Sequence, residues 1–156
     1  MLSLTIPGGK TLELSHLVLD YNGTIACDGR LIDGVKGRLL VLAKSLTIHV
    51  VTADTFGSVR EALTGIPCRL IIIPVEHQAE AKRAWVAELK AASCVCVGNG
   101  RNDRLMLNDA ALGIAVVQAE GAAVEAVLAA DILVSNVLDA LDLLSHPLRL
   151  TATLRS

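Results

Sequence analysis

An aspartate, Asp20, ends the apolar run His16–Asp20 and is followed at once by a turn that contains Gly23. A short apolar run bounded by turn residues is typical of a buried parallel strand. Ligands of open α/β sheets bind outside the carboxyl ends of such strands, so Asp20 is placed to act as a nucleophile. The alternative is structural, because an aspartate here also suits a helix cap or a turn.

A hydroxyl follows a second strand. The run Thr47–Val51 leads into Thr52, Ala53, Asp54 and Thr55 before a predicted helix. A hydroxyl and unbonded backbone N–H groups at the positive end of a helix dipole form an anion site, which points to Thr52 as an anion-binding residue. For Asp54 and Thr55 we favour the simpler interpretation that one of them is the N-cap.

A predicted helix over residues 77–91 carries a lysine that could supply positive charge to the site. Lys82 lies near its start, close to the carboxyl edge of the sheet. Considered alone, this residue has the character of a solvated surface lysine. Lys90 is the competing candidate, but it lies late in the same helix and therefore further from that edge.

A third strand, Cys94–Val97, opens into the glycine-containing loop Gly98–Asp103. Glycines let the backbone approach a ligand closely. Asn99, Asn102 and Asp103 offer the hard oxygen atoms that Mg²⁺ prefers. The same residues also suit a turn followed by a helix cap, so the loop alone does not define a site.

The sequence pattern predicts the fold that must position these side chains. Short β-rich runs alternate with helical patterns, which is the signature of βαβ units. We predict an α/β fold in one domain, residues 1–156, with a three-layer, Rossmann-like, doubly wound and mainly parallel sheet. The predicted strands are 16–20, 47–52, 69–73, 94–97, 113–117 and 131–134, and the predicted helices are 34–45, 55–64, 77–91, 102–110, 121–129 and 136–145.

Two hairpins decorate the predicted sheet. Residues 1–14 alternate apolar and polar side chains around Pro7, Gly8 and Gly9, which indicates an N-terminal hairpin. Residues 25–32 contain Asp28-Gly29, a favoured two-residue turn, and this flap hairpin should stand just above Asp20. The pattern of residues 147–156 supports no prediction.

Composition excludes several classes of function. A net charge of −2 and an aromatic content of 2% leave neither a basic field nor a stacking surface for nucleic acid. Acidic residues interrupt every long apolar stretch, and the first ten residues lack a signal-peptide pattern. We therefore expect a cytoplasmic protein with no membrane or nucleic-acid partner.

The four cysteines, Cys27, Cys68, Cys94 and Cys96, form no CxxC pair. Cys94 and Cys96 flank a single residue of a predicted strand, so both point to one face and are poorly arranged to bind zinc by themselves. We expect free thiols in a reducing compartment.

The order and spacing of four segments resemble the four signature motifs of the haloacid dehalogenase (HAD) superfamily. The resemblance runs from about residue 14 to residue 145, and it is closest to soluble proteins related to the phosphorylation domain of P-type ATPases. The matching segments are Asp20-Tyr21-Asn22-Gly23-Thr24, then Thr52, then Lys82, and finally Gly98-Asn99-Gly100-Arg101-Asn102-Asp103.

The resemblance implies a Mg²⁺-dependent phosphohydrolase or phosphotransferase in which Asp20 attacks phosphorus and becomes an aspartyl phosphate. It implies that Asp20, the backbone carbonyl of Asn22, Asn99 and Asp103 hold the metal ion.

The remaining motif residues take the phosphoryl group. The resemblance implies that Thr52 and the backbone N–H of Ala53 hold phosphoryl oxygens, while Lys82 offsets the remaining negative charge.

Two asparagines depart from the pattern of the family. Its phosphatases usually carry an acid–base aspartate at the position of Asn22, and losing such a group typically costs about 10²–10⁴-fold in rate. P-type ATPases also lack a carboxylate there, and their aspartyl phosphate is long-lived. Asn99 replaces an anionic metal ligand, so we expect weaker Mg²⁺ binding. Both departures also suit an alternative, a catalytically impaired binding or regulatory protein.

No cap domain is predicted. The 32 positions from Asp20 to Thr52 and the 30 from Thr52 to Lys82 hold only the flap hairpin, two helices and one strand. The substrate we expect is a phosphorylated small molecule or macromolecule. A homo-oligomer is the other way to cover so open a site, because enclosure excludes water from the chemistry.

Overall fold

The computed structural model describes residues 1–54 and 57–156. Parallel strands form its central sheet, and two short antiparallel hairpins lie outside that sheet. In chain order the strands are β1 (Leu2–Thr5), β2 (Thr11–Leu14), β3 (His16–Asp20), β4 (Ala26–Cys27), β5 (Arg30–Leu31), β6 (Thr47–Thr52), β7 (Cys68–Ile72), β8 (Cys94–Gly98), β9 (Leu112–Val116) and β10 (Ile132–Val134).

The central sheet is doubly wound, as predicted. Its strand order is β10-β9-β8-β3-β6-β7, and every neighbouring pair is parallel. The chain therefore proceeds from β3 to one edge of the sheet and returns to build the other half from β8. The loops that follow β3 and β8 diverge at this switch point, and the crevice between them is where open α/β sheets bind ligands.

Helices cover both faces of the sheet. They are α1 (Val35–Leu42), α2 (Ser58–Ala62), α3 (Gln78–Glu88), α4 (Arg104–Asp109), α5 (Val124–Ala129), α6 (Val137–Ser145) and α7 (Pro147–Leu154), with 3₁₀ turns at Ala91–Ser93 and Arg101–Asp103. Leu17 and Leu19 pack into one core with α1, α2 and α6, while Val18 packs into a second core with α3, α4 and α5. This alternation confirms the predicted three layers, since a parallel strand is buried on both faces.

The helix predicted over 55–64 is shorter than expected. Gly57, at φ 74°, precedes α2, which starts only at Ser58. The prediction that Asp54 caps this helix is therefore wrong, and Thr55, the other predicted cap, lies outside the described residues.

Two further differences concern the ends of helices. The helix predicted to run to residue 91 ends at Glu88, because Lys90 takes a left-handed conformation with φ 67° and a 3₁₀ turn follows. At the C-terminus, Pro147 begins α7, a helix that was not predicted. A proline is favoured there because the first helical N–H needs no partner.

Both predicted hairpins are present. Strands β1 and β2 pair antiparallel, and so do β4 and β5. Asp28 and Gly29 both have positive φ, 51° and 76°, as a two-residue turn of the primed type requires. Tyr21, next to the predicted nucleophile, donates a hydrogen bond from its hydroxyl to the Gly29 carbonyl and so ties this flap to the site.

Among the described residues, the stretches between β3 and β6 and between β6 and α3 hold only short elements, as expected for a chain without a cap domain. No helix in the described part of the chain is long and apolar enough to cross a membrane.

Candidate active site

A cavity of about 510 Å³ opens at the carboxyl edge of the sheet, beside the switch point. It brings together most of the residues that the motifs predicted, and Asp103 lies just behind its wall. The described lining residues are Asp20, Asn22, Thr52, Ala53, Asp54, Val75, Gln78, Lys82, Asn99, Gly100 and Asn102.

Lys82 joins two carboxylates at the base of this cavity. Its Nζ donates to Asp20 Oδ1 and to Asp103 Oδ1, each at 2.7 Å, and only 1% of its side chain is exposed. Burial by itself would lower the pKa of Lys82, but the two carboxylates raise it above its ordinary value. The surface-lysine alternative is therefore wrong, and Lys90 does not line the cavity.

Asp103 is fully buried and both of its carboxylate oxygens are engaged. Oδ1 accepts from Lys82, while Oδ2 accepts the backbone N–H groups of Asn99 at 3.0 Å and Gly100 at 2.8 Å. Burial and the neighbouring Asp20 raise the pKa of Asp103 to about 6. These contacts shape the loop and hold Lys82 in place. The assignment of Asp103 as a metal ligand stays a prediction.

Thr24 is the first site residue to which sequence reasoning assigned no role. Its buried hydroxyl lies 2.9 Å from Asp20 Oδ2 and 3.2 Å from Asn99 Oδ1. The carboxylate of Asp20 is thus fixed on both sides, by Lys82 on one oxygen and by Thr24 on the other. The sequence feature that could have identified Thr24 is its position in the same turn, four residues after Asp20.

Gln118 was also missed, because it is distant in sequence from every motif. Its Nε2 donates to the carbonyls of Thr24 at 2.6 Å and Gly23 at 3.1 Å, while its Oε1 accepts from the N–H of Val137 at 2.9 Å. The side chain therefore ties the loop after Asp20 to the start of α6. Such a role depends on tertiary structure and leaves no local sequence pattern.

Asn99 sits between these loops. Its Nδ2 donates to the Gly121 carbonyl at 3.0 Å, which leaves Oδ1 facing Thr24. Gly23, at φ 79°, packs so closely against this amide that any Cβ there would clash with the Asn99 side chain. The loops after β3 and β8 are therefore held in direct contact.

The phosphate-binding residues predicted after β6 lie in the cavity wall. Thr52 is buried, and its hydroxyl accepts a hydrogen bond from the N–H of Asp54 at 3.3 Å. The helix-dipole argument for Thr52 is wrong, because α2 begins six residues later and has only five residues.

The far wall of the cavity carries two neutral amides. Asn102, one of the oxygen donors predicted in the loop after β8, donates from Nδ2 to Gln78 Oε1 at 2.7 Å. Gln78 opens α3 and was not singled out by sequence reasoning. This pair gives the mouth of the cavity a polar, uncharged wall beside the exposed side chain of Val75.

The oxygen atoms in the cavity are of the hard type that suits a divalent metal ion. Asp20 Oδ2 and Asn99 Oδ1 converge on the single hydroxyl of Thr24, and the Asn22 loop forms the adjacent wall. No cluster of three or more His, Cys, Asp or Glu side chains suited to a metal occurs among the described residues. Mg²⁺ commonly takes one or two carboxylates and completes its shell with water and substrate phosphate, which is what this set allows.

The four cysteines form no disulfide. Cys27, Cys68, Cys94 and Cys96 are all free, as predicted, and none of them lines the cavity. Burial raises the pKa of Cys94 to about 11, which keeps that thiol protonated and unreactive.

Known structures share this architecture. The cobalt-bound deoxy-D-mannose-octulosonate 8-phosphate phosphatase of Haemophilus influenzae superposes with a TM-score of 0.73, at 10% identity, over 92% of this chain and 94% of that one. The 3-deoxy-D-manno-octulosonate 8-phosphate phosphatase of Moraxella catarrhalis, in complex with magnesium, phosphate and KDO, gives 0.67 at 14% identity, over 85% and 86%. These likenesses establish the fold.

Similarity in sequence is closer to an uncharacterized protein of Methanocaldococcus jannaschii. That protein is 49% identical over 79 residues, which cover 48% of this chain and 85% of the relative. No protein-family model matches the chain. The chain therefore belongs to one family with this Methanocaldococcus protein, and its fold is that of the HAD superfamily, as the four motifs indicated.

Proposed function

We propose that the chain is a Mg²⁺-dependent phosphohydrolase that works through an aspartyl phosphate on Asp20. One observation carries the proposal: Asp20 lies in an open cavity while Lys82, buried between it and Asp103, fixes one of its oxygens. A carboxylate held in this way is oriented for attack without losing its access to the cavity. The shared fold with phosphatases that bind divalent metals supports the same function.

The chain's own residues account for the orientation of the nucleophile. Asp20 attacks phosphorus, and the bond to the leaving oxygen breaks as the bond to Asp20 forms. Thr24 and Lys82 hold the two carboxylate oxygens in place before attack, so little reorganisation is needed.

The phosphoryl oxygens are met by other parts of the cavity wall. Thr52 and the N–H of Ala53 contact them, and the ammonium of Lys82 compensates the charge that develops in the transition state. Asp20, the Asn22 carbonyl and Asn99 would hold Mg²⁺. When bound, the ion neutralises charge between carboxylate and phosphoryl oxygens.

Turnover is expected to be modest, because Asn22 cannot exchange a proton with the leaving group or with water. In this respect the site resembles that of P-type ATPases. A slowly hydrolysed aspartyl phosphate also allows transfer to an acceptor other than water, so phosphotransferase activity belongs to the same proposal.

The open cavity favours a phosphorylated small molecule or a phosphorylated macromolecule as substrate. No cap domain occurs in the described part of the chain, so either a large substrate or a second copy of the chain would provide the cover that excludes water. We propose a cytoplasmic location from composition and sequence pattern.

The direct test is hydrolysis of p-nitrophenyl phosphate with Mg²⁺ by the wild type, Asp20→Asn and Asn22→Asp. We expect turnover that Asp20→Asn abolishes and that Asn22→Asp raises. Asp28→Asn, in the flap turn, is the control and should behave as the wild type. Wild-type activity equal to that of Asp20→Asn would refute the enzymatic function.

The second candidate function is phosphate binding without turnover, favoured by the paired replacements Asn22 and Asn99. It predicts that inorganic phosphate with Mg²⁺ raises the melting temperature of the wild type, although no aryl phosphate is hydrolysed. Lys82→Met should abolish that shift.

A further inference from the structure

Asp54 is a second carboxylate in the wall of the cavity that holds Asp20. It is half-buried, two residues beyond Thr52. Because Gly57 rather than Asp54 precedes α2, capping of that helix does not explain its presence here.

Asp54 follows the strand that pairs with the nucleophile strand. Asp20 is the register partner of Val51, so β3 and β6 end side by side, about 4.8 Å apart. Asn22 lies two residues after Asp20 and Asp54 lies three residues after Val51, so both belong to loops that begin at the same edge of the sheet. The hydrogen bond from the Asp54 N–H to Thr52 Oγ1, at 3.3 Å, holds the start of this second loop against the end of β6.

Asp54 and Asn22 line the same cavity. The charge of Asp54 also acts on the residue that directly follows Asp20, since burial, together with Asp54, raises the pKa of Tyr21.

Few groups in the cavity can exchange a proton. Among its described lining residues, the titratable side chains are those of Asp20, Asp54 and Lys82. Asp20 is committed to phosphorus, and Lys82 is held as an ammonium by two carboxylates. Asn22 is an amide. Asp54 is the remaining group that can both donate and accept a proton.

We propose that Asp54 is the general acid–base of this site, in the place that Asn22 leaves without a carboxyl group. The inference rests on the proposed phosphohydrolase function. In the first step Asp20 bonds to phosphorus, the bond to the ester oxygen breaks, and Asp54 gives its proton to that oxygen, which leaves as an alcohol. In the second step Asp54 takes a proton from water, whose oxygen attacks phosphorus and releases phosphate from Asp20.

The acid role and the base role of Asp54 can be separated by substrates with different leaving groups. An alkyl phosphate such as glycerol phosphate needs the acid, so Asp54→Asn should slow its hydrolysis by about 10²–10³-fold. p-Nitrophenolate leaves without a proton, so the first equivalent of p-nitrophenol should still appear quickly. Subsequent turnover should be slow, and the phosphorylated protein should accumulate and be detectable by intact-protein mass spectrometry after acid quenching.

A second substitution distinguishes this chemistry from damage to the loop. Asn22→Asp in the Asp54→Asn background restores a carboxyl group on the neighbouring loop, so it should recover turnover and remove the accumulated phosphoprotein. Asp28→Asn, in the flap turn, is the matched control and should show neither effect.

Two results would overturn the inference while leaving the proposed function intact. Asp54→Asn with wild-type rates on both substrates would exclude a proton-transfer role. Equal losses on both substrates, without phosphoprotein and without rescue by Asn22→Asp, would show that Asp54 serves only the shape of the loop. A failure of the proposed function looks different, since the wild type itself would then be no faster than Asp20→Asn, and both proposals would fall.

Discussion

At the scale of single residues, the site depends on the charges around Lys82. Two carboxylates flank one buried ammonium, and the second oxygen of Asp103 is neutralised by the backbone N–H groups of Asn99 and Gly100. The three buried charges stabilise the site only together, because removing one of them leaves its partners buried without an opposite charge.

Replacing Lys82 with Met should therefore lower the free energy of unfolding by about 3–5 kcal/mol, because it leaves the buried carboxylate of Asp103 without its cation. Chemical denaturation at pH 7 measures the loss. Lys90→Met, in the same segment but exposed and outside the cavity, should change stability by less than about 0.5 kcal/mol. An equally stable Lys82→Met protein would contradict the ion pairs described above.

At the scale of elements, the loop that contains Gln118 holds both catalytic loops. Gln118→Glu keeps an acceptor for the Val137 N–H but cannot donate to the carbonyls of Thr24 and Gly23. We expect a loss of about 1–3 kcal/mol in stability and a fall in kcat for aryl phosphates. A kcat that does not change would show that this clamp is not needed for orienting Thr24.

Asn136→Ala is a matched control for Gln118. Asn136 caps the same end of α6 by accepting from the Asp139 N–H, and the substitution should cost about 1 kcal/mol. Because Asn136 does not touch the loop after β3, kcat should stay at the wild-type value.

Strands β3 and β6 also carry a pair of histidines that predicts acid sensitivity. His49 is fully buried, bonds through Nε2 to His16 Nδ1 at 3.2 Å, and packs against Trp85. Burial, with the nearby His16 and Arg69, lowers the pKa of His49 from 6.5 to about 4. Above pH 6.5 His49 is neutral in both the folded and the unfolded chain, so burial of the neutral ring stabilises the fold fully. This stabilisation is lost as pH falls through about 4.

We expect the free energy of unfolding to fall by about 3 kcal/mol between pH 7 and pH 4, because His49 binds a proton in the unfolded state and stays neutral in the folded state. Denaturant titrations across this range measure it. His49→Leu should flatten the dependence, whereas exposed His146→Gln should preserve it. A wild type equally stable at both pH values would contradict the burial of a neutral His49.

The sequence was sufficient to predict the elements that have a local residue pattern. The strands that end at Asp20, Thr52 and Gly98 could be predicted because each is a short apolar run followed by turn residues. The depth of Lys82 could not be predicted from its residue type, since lysine is usually exposed, although Ala79 and Val86 are buried on the same face of α3. The hydrogen bonds of Asp103 within its own loop could not be predicted either, because the backbone N–H groups of Asn99 and Gly100 meet its carboxylate only in the folded loop.

At the scale of the whole molecule, α7 joins the N-terminal hairpin to the rest of the fold. Leu150 is fully buried in the core that also contains Leu4, Leu12 and α6. Leu150→Ala should cost about 2–5 kcal/mol in stability through the cavity it leaves, while kcat per folded molecule should not change because α7 does not line the active-site cavity.

The neighbouring Leu148 is a control on the same helix, since it is 83% exposed. Leu148→Ala should be nearly neutral. Thermal unfolding of both variants measures the difference, and equal melting temperatures would refute the packing of α7 described here.

The position of Lys82 between the two halves of the sheet also bears on the order in which the site forms. Asp103 is synthesised 83 residues after Asp20, and the switch-point topology makes every contact between them long-range in sequence. A growing chain that has completed only β3, β6 and β7 therefore contains Asp20 without Lys82 and Asp103. Under the proposed function, Asp20 is oriented for attack only after β8 docks beside β3, so chains that end before β8 should not hydrolyse phosphate esters.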